Sequence, residues 1–480
     1  MLLTSVILSI FCLTACGQKD PYTYEQIKKA QQETKARTHM PPADRTCPLP
    51  SKTDALKPGS SIDLNKAVEI ALQNNPDMDM ALARIQQSEA MLDEAMSAFW
   101  PMISIYGEYL QGDAPSAYLF KTIDQRKLPP GTNFNDPGWF ENYEAGVQGQ
   151  INLFNGGRDY LRKRMADTGL SISQLGRETM KNALINSVID AYYSSLAAGQ
   201  YVDIAKESVK SVQKELEMIK VRYEAGGALK SDVLSLEVAL ARAKEGLIRA
   251  QNNHCLSISS LANLLGLDPD TPLAPKPEAK TPIDVPGSYE KALVVALARR
   301  PELKQTRLSV VQAKMGVDMA RAEFLPRLDL QAKTYFDDPG LSFDWDRRNW
   351  TAGIILNWDL FTGFRRKSHI DKARAVLEEM LAADRKSTLG VQLELKRAYL
   401  KYAEAKARWE VSQASVARSE ESLRLVEKEY EGGSATITRY LEAELARNRT
   451  RLRATTSFYD RQKTAAAIGR AMGYWATYTE

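Results

Sequence analysis

The chain carries one architecture written twice. Residues 65–101 align with residues 290–326 at a constant offset of 225 without a gap. Lys66/Lys291, Ala67/Ala292, Ala71/Ala296, Leu72/Leu297, Pro76/Pro301, Phe99/Phe324 and Pro101/Pro326 coincide. Farther on, "NLFNGGR" from Asn152 matches "DLFTGFR" from Asp359 at an offset of 207. The same 207 relates "RYEAGGALKSD" from Arg222 to "EYEGGSATITR" from Glu429, and Gly266 to Gly473. The difference of 18 is one insertion in the first copy, between Pro101 and Leu153. A duplication on this scale requires a fold in which nearly every element has a counterpart.

Each copy reads in the same order. A helical segment comes first, over 62–99 and 288–324, and Pro101 and Pro326 end it. Two segments with alternating polarity follow. Tyr143, Ala145, Val147, Ile151 and Leu153 alternate with Asn142, Glu144, Gln148, Gln150 and Asn152. In the second copy Trp350, Ala352, Ile354, Leu356, Trp358 and Leu360 alternate with Thr351, Gly353, Asn357 and Asp359, while Ile355 breaks the rule. Their partners are weaker: Ile103 and Ile105 about Ser104, then Leu328, Leu330, Ala332 and Phe336. This pattern predicts strands with one apolar and one polar face, joined by Gly/Pro/Asp-rich loops.

Proline-free runs over 158–224 and 365–431 then predict helices about 100 Å long. Apolar steps of three and four mark a seam at Val209, Val212, Leu216, Ile219 and Tyr223, repeated at Val416, Ser419, Leu423, Val426 and Tyr430. A glycine break follows, at Gly226-Gly227 and Gly432-Gly433, and then a shorter helix. The domain reading is a signal peptide at 1–15, an N-terminal extension at 16–60 and a first repeat at 61–267, with a strand pair at 101–154 and a turn at 225–228. A Pro-rich connector at 268–287 leads to the second repeat at 288–473, with a strand pair at 326–361, a turn at 432–435, and a tail at 474–480.

Composition removes several function classes. Lys and Arg number 64 against 60 acidic residues, a balance unsuited to nucleic-acid binding. After the N-terminus no apolar run is long enough for a transmembrane helix, whereas a β-barrel leaves a weaker trace. The opening "MLLTSVILSIFCLTAC" is of secretory-signal length, although it lacks a basic start. Leu13-Thr14-Ala15-Cys16 resembles a bacterial lipobox, which makes Cys16 the expected site of a covalent lipid anchor. Cys47 and Cys255 remain, in an export context where disulfides form, and their surroundings give no reason to pair them. His39, His254 and His369 stand apart, and the methionines at 78, 80, 91, 96 and 102 do not share one helical face. No metal site, cofactor or nucleophile motif is indicated, and the chain is not expected to be an enzyme.

Four strands cannot close a barrel alone, since the smallest membrane barrels use about 8. Three chains would supply 12. The duplicated order of helix, strand pair, "LFxGG"-type junction, long helix, "RYxxG" turn and helix resembles the TolC family of outer-membrane efflux channels. The lipobox is similar to that of its OprM- and CusC-like branch. The resemblance spans roughly Ser61 to Gly473. It implies an α+β membrane protein, mostly α: a homotrimer with a 12-stranded transmembrane barrel continued by a periplasmic helical barrel. It implies a passive exit duct in the outer membrane, served by a periplasmic adaptor and an inner-membrane pump of the resistance-nodulation-division type.

The resemblance also assigns residues. Gly226, Gly227, Gly432 and Gly433 match the turns where adaptors dock. Asp232 matches a tip-region Asp, and Tyr430 a tyrosine that holds the periplasmic gate shut through hydrogen bonds. Two carboxylates that commonly face the pore correspond to Arg439 and Glu442, so Arg439 reverses the expected charge. A ring of alternating Arg and Glu is thus the expected constriction. A channel for type I protein secretion is the alternative function. A lipid-anchored coiled-coil scaffold has no use for membrane-length strands, and an adaptor would have one helical hairpin and more β-structure.

Overall fold

The computed structural model describes residues 61–277 and 283–477. Cys16, Cys47, the signal, the N-terminal extension and the end of the tail lie outside the described residues. The first repeat opens with a short strand β1 (Ser61–Ile62), then α1 (Leu64–Asn74) and α2 (Pro76–Ser97). Strand β2 (Met102–Gly112), helix α3 (Pro115–Asp124) and strand β3 (Phe140–Phe154) follow. The long α4 (Arg158–Glu224), α5 (Lys230–Leu264) and the short β4 (Ala274–Pro275) complete the first half. The second half runs α6 (Tyr289–Arg299), α7 (Pro301–Ala322), β5 (Arg327–Asp338), β6 (Arg348–Asn357), α8 (Arg365–Glu431) and α9 (Ile437–Ala471).

Helix lengths repeat between the halves. α1 and α6 have 11 residues, α2 and α7 22, α4 and α8 67, and α5 and α9 35. The expected single opening helix is in fact two, broken before Pro76 and Pro301. A proline ring clashes with the preceding turn and drives its predecessor out of the helical region. Asn75 accordingly has φ −74° and ψ 125°, and Arg300 φ −59° and ψ 121°. Asn75 then caps α2 by accepting from the Asp77 amide at 2.8 Å.

β2, β3, β5 and β6 form one antiparallel sheet in that order, so the two hairpins meet through β3 and β5. β1 pairs in parallel with β4, tying the start of the first repeat to the connector. Where α1, α4, α5, α6, the start of α7, α8 and α9 converge lies the main core, around Ile185, Ile189, Tyr192, Tyr193, Leu303, Leu395 and Ile468. Tyr192 places its hydroxyl 2.9 Å from the carbonyl oxygens of Ile62 and Lys276. Its counterpart Tyr399 donates to the Pro286 carbonyl at 2.9 Å. A second, smaller core sits at the far end of the long helices, and includes Val212, Leu216, Ile219, Leu423 and Val426. The expected seam therefore holds through Ile219, whereas Tyr223 is left exposed.

Four helix ends share one closure. After α4, Gly226 donates to the Tyr223 carbonyl at 3.0 Å and Gly227 to the Arg222 carbonyl at 2.7 Å. After α8, Gly433 and Ser434 make the same bonds, and Gly266 and Gly473 close α5 and α9 in the same way. This paired pattern requires a left-handed residue just past the helix. Gly226, Gly266, Gly433 and Gly473 have φ of 77°, 71°, 77° and 71°. At Gly266 a Cβ would also meet the Asn74 carbonyl oxygen at 2.2 Å, whereas at Gly226 it would meet nothing within 4 Å. Gly226→Ala is therefore expected to cost about 1–2 kcal/mol from backbone strain alone. Gly266→Ala adds an overpacking cost of about 1–3 kcal/mol. Thermal unfolding followed by circular dichroism should show the larger loss at Gly266.

Candidate functional site

The sheet segregates its side chains by face. On one face lie Ile103, Ile105 and Tyr109 of β2, Tyr143, Ala145, Val147 and Ile151 of β3, Leu328, Leu330, Ala332 and Phe336 of β5, and Trp350, Ala352, Ile354 and Leu356 of β6. These residues stand in register because side chains alternate along each strand. Much of this face is bare: Ile103 is 70% and Trp350 72% exposed. The opposite face carries Ser104, Glu144, Gln148, Gln150, Gln331, Lys333 and Thr351, and lines a cavity of about 310 Å³. Exposed aromatics gather at both ends of the strands. Trp100, Trp358, Phe361 and Phe364 mark the helix end, and Tyr109, Trp139 and Trp345 the far end. Strands of 10 to 15 residues are long enough to cross a hydrocarbon layer. Among the described residues no helix is long and apolar enough to do so.

At the other end of the long helices the two glycine turns come together. Tyr430, in the last turn of α8, stacks on Tyr440 of α9 with ring centroids 5.7 Å apart, and Arg222 sits 5.9 Å from its ring. Its buried hydroxyl has no hydrogen-bond partner among the described residues. Among the described residues its ring is held by stacking and a cation–π contact. Asp232, in the first turn of α5, lies near enough to influence the Tyr430 hydroxyl, which burial holds above its ordinary pKa.

Arg439 and Glu442 are both exposed in the first turns of α9. The Arg439 guanidinium reaches Glu429 at 3.9 Å, not Glu442, and its amide is capped by Thr436. Glu442 lines a groove of about 1010 Å³ between α4, α5 and α9, together with Leu234, Val238, Arg242 and Leu445. Of the four turn glycines, only Gly226 and Gly433 adopt the left-handed conformation, so Gly227 and Gly432 are not needed for the turn itself.

Two acids at this end escaped the sequence reading. Glu215 of α4 and Glu444 of α9 are each 3% exposed. Their positions were available in the pattern: Glu215 adjoins the seam residue Leu216, and Glu444 shares a helical face with Ile437 and Tyr440. Burial raises both carboxyl pKa values above the ordinary range, and Lys214 and, less, Arg222 near Glu215 and Arg447 near Glu444 only partly offset it. One Glu444 oxygen lies 3.9 Å from Arg447 and accepts no hydrogen bond. Elsewhere Cys255 on α5 is disulfide-bonded. The chain's other cysteines, Cys12, Cys16 and Cys47, lie outside the described residues.

A two-faced sheet continued by paired helices of this length has known counterparts. The family described as "outer membrane efflux protein" matches residues 67–267 and 292–474. The chain belongs to this family. Its two matched stretches coincide with the two repeats, and the break falls in the connector. The chain is 26% identical over 422 residues to the pyoverdine export outer membrane protein OpmQ of Pseudomonas putida, covering 84% of this chain and 85% of that one. It is 26% identical over 313 residues to the alkaline protease secretion protein AprF of Pseudomonas aeruginosa, covering 63% of this chain and 62% of that one. Its fold is that of the Campylobacter jejuni CmeC outer membrane channel, with a TM-score of 0.73 at 17% identity over 90% of this chain and 93% of that one. The protein is thus an outer-membrane efflux protein with the TolC-like fold.

The buried acids give this tip a pH dependence. A carboxyl with a raised folded pKa does not oppose folding below its unfolded value, and opposes it increasingly as pH rises through the folded value. The tip core should therefore be tighter near pH 4–5 than at neutral pH. Hydrogen-exchange protection of amides in 212–236 and 423–440, corrected for intrinsic rates, should fall between those conditions. Glu215→Gln with Glu444→Gln should flatten the dependence, and protection that rises with pH would contradict this origin.

Proposed function

We propose that this protein is the passive outer-membrane exit duct of a tripartite efflux system, working as a homotrimer. The carrying observation is the four-stranded sheet with one bare apolar face, one polar face and two outer strands that pair on one side only among the described residues. Unpaired strand edges are not tolerated in a hydrocarbon layer. Three copies joined through β2 and β6 give a 12-stranded barrel, with lipid outside and a wet polar lumen within. The long helices continue the duct about 100 Å into the periplasm. Cys16 carries the lipid anchor. A periplasmic adaptor (a membrane fusion protein) docks at the turns around Gly226, Gly227, Gly432 and Gly433, and the energy comes from an inner-membrane pump of the resistance-nodulation-division type. Arg439 and Glu442 of three chains, with Asp232 and Tyr430 behind them, form the closed constriction. Here the unpartnered Tyr430 hydroxyl meets a neighbouring protomer. The duct itself performs no covalent chemistry.

Purified protein should migrate as a heat-modifiable trimer from the outer-membrane fraction and give discrete conductance steps in planar bilayers. Arg439→Ala with Glu442→Ala should raise single-channel conductance severalfold. Unchanged conductance would remove these two residues from the gate, and a monomer without steps would remove the duct. A second reading, the outer channel of a type I protein secretion system, draws support from the likeness to AprF. Deletion of the gene separates the two. Sensitivity to small toxic compounds supports efflux, and loss of a secreted protein without such sensitivity supports secretion.

A further inference from the structure

The insertion that breaks the duplication forms a device of its own. The β2–β3 connection spans 27 residues, 113–139, against nine, 339–347, between β5 and β6. Its helix α3 does not extend away from the strands but folds back over the polar face, at the end remote from the long helices. Gln125 is 3% exposed and donates to the Glu141 carbonyl and to the Asn142 side chain, both at 2.8 Å. Lys121 donates to Glu144 of β3 and, at 3.0 Å, to Asp337 of β5. Tyr106 of β2 also donates to Glu144, and Asn142 donates to Asp337 at 2.6 Å. Arg126 donates to the Asn349 side chain at 3.3 Å, while Asn349 donates back to the Asp124 carbonyl at 3.2 Å. α3 is thereby tied to β3, β5 and β6. Buried carboxylates need such partners, so the attachment is strong only while Lys121 remains in place.

The other side of α3 is apolar. Phe120 and Ile123, one helical turn apart, point away from the sheet and are 67% and 45% exposed. We propose that α3 is a second constriction of the duct, at its outer mouth, where Phe120 and Ile123 from three protomers meet on the axis as an apolar gate. This rests on the trimeric barrel described above. Strands about 4.8 Å apart and tilted about 40° give a 12-stranded barrel about 24 Å across. That diameter runs backbone to backbone, so the axis lies only about 12 Å from each sheet, and a helix about 10 Å wide laid over the sheet carries its far side to the axis. An apolar ring of this kind excludes water and ions by dewetting and yields to amphipathic solutes. The outer gate thus selects by polarity, while the tip is lined by charge.

Phe120 and Ile123 are exposed, and the ties to the strands are made by Lys121, Gln125 and Arg126, so Phe120→Ser with Ile123→Ser should assemble normally. In planar bilayers, with Arg439→Ala and Glu442→Ala also present to widen the tip, this pair should raise conductance at least twofold over the same background. In otherwise native protein, oxidation of Phe120→Cys should link chains pairwise, as a dimer band on non-reducing denaturing gels that is absent from wild type. Conductance that is unchanged in a channel that does form, or the absence of linkage in a protein that runs as a trimer, would overturn the outer gate. Failure of wild type to form trimers or steps would instead remove the duct reading, and the outer gate with it.

Discussion

The sheet's two edges govern everything else in this molecule. Among the described residues β2 and β6 each present a row of backbone donors and acceptors with no strand beside them. In water such an edge invites aggregation, and in hydrocarbon it is prohibitively costly. The bare apolar face argues for hydrocarbon. Those two facts require the sheet to be completed by other copies, and a closed sheet with a polar inner face is a conduit. The helices then inherit a geometry, since both hairpins feed long helices from the same rim. α4 and α8 must run side by side, and their equal length of 67 residues brings both turns to one level.

Much of this was legible in the sequence because it is written in periods. Alternation by two identified the faces of β3 and β6, and steps of three and four identified the seam at Val212, Leu216 and Ile219. The offsets fixed the insertion's length at 18 residues and confined it between Pro101 and Leu153. What was not legible depended on single contacts. The break before Pro76 and Pro301 turns on a ring clash that an otherwise continuous helical pattern hides. β1 and β4 are two residues each and owe their existence to the core beneath them, where Tyr192 bonds both carbonyl strands. The α3 helix sits in a stretch rich in glycine and proline, which reads as loop until Lys121 and Gln125 find partners on strands far away in sequence.

At the tip, contacts within the protomer hold two of the residues that the resemblance assigned. Tyr430 packs on Tyr440 and Arg222, and its hydroxyl has no hydrogen-bond partner among the described residues. Arg439 turns to Glu429, its neighbour across the glycine turn, because both sit on the short arc that Gly433 creates. The tip also contains more carboxylate than its surface shows. Glu215 and Glu444 lie in the seam between the two hairpins, where a charge is opposed by burial and only partly relieved by Lys214, Arg222 and Arg447. Their charge works against the apolar residues packed around them.

The two ends of the duct differ in symmetry, and the difference traces to the gene. Every element at the tip exists twice per chain, so three chains present six similar turns with nearly six-fold spacing. Such a ring can narrow or widen by small, similar motions of each hairpin. The insertion exists once per chain, so the outer mouth receives three helices and not six. Six helices about 10 Å wide would not fit within a barrel about 24 Å across between backbones, whose axis a single helix laid on the sheet already reaches. The break in the duplication is thus what permits a helix inside the barrel at all. An insertion in both copies would have had to leave the lumen, and with it the polar face to which Lys121 is bound.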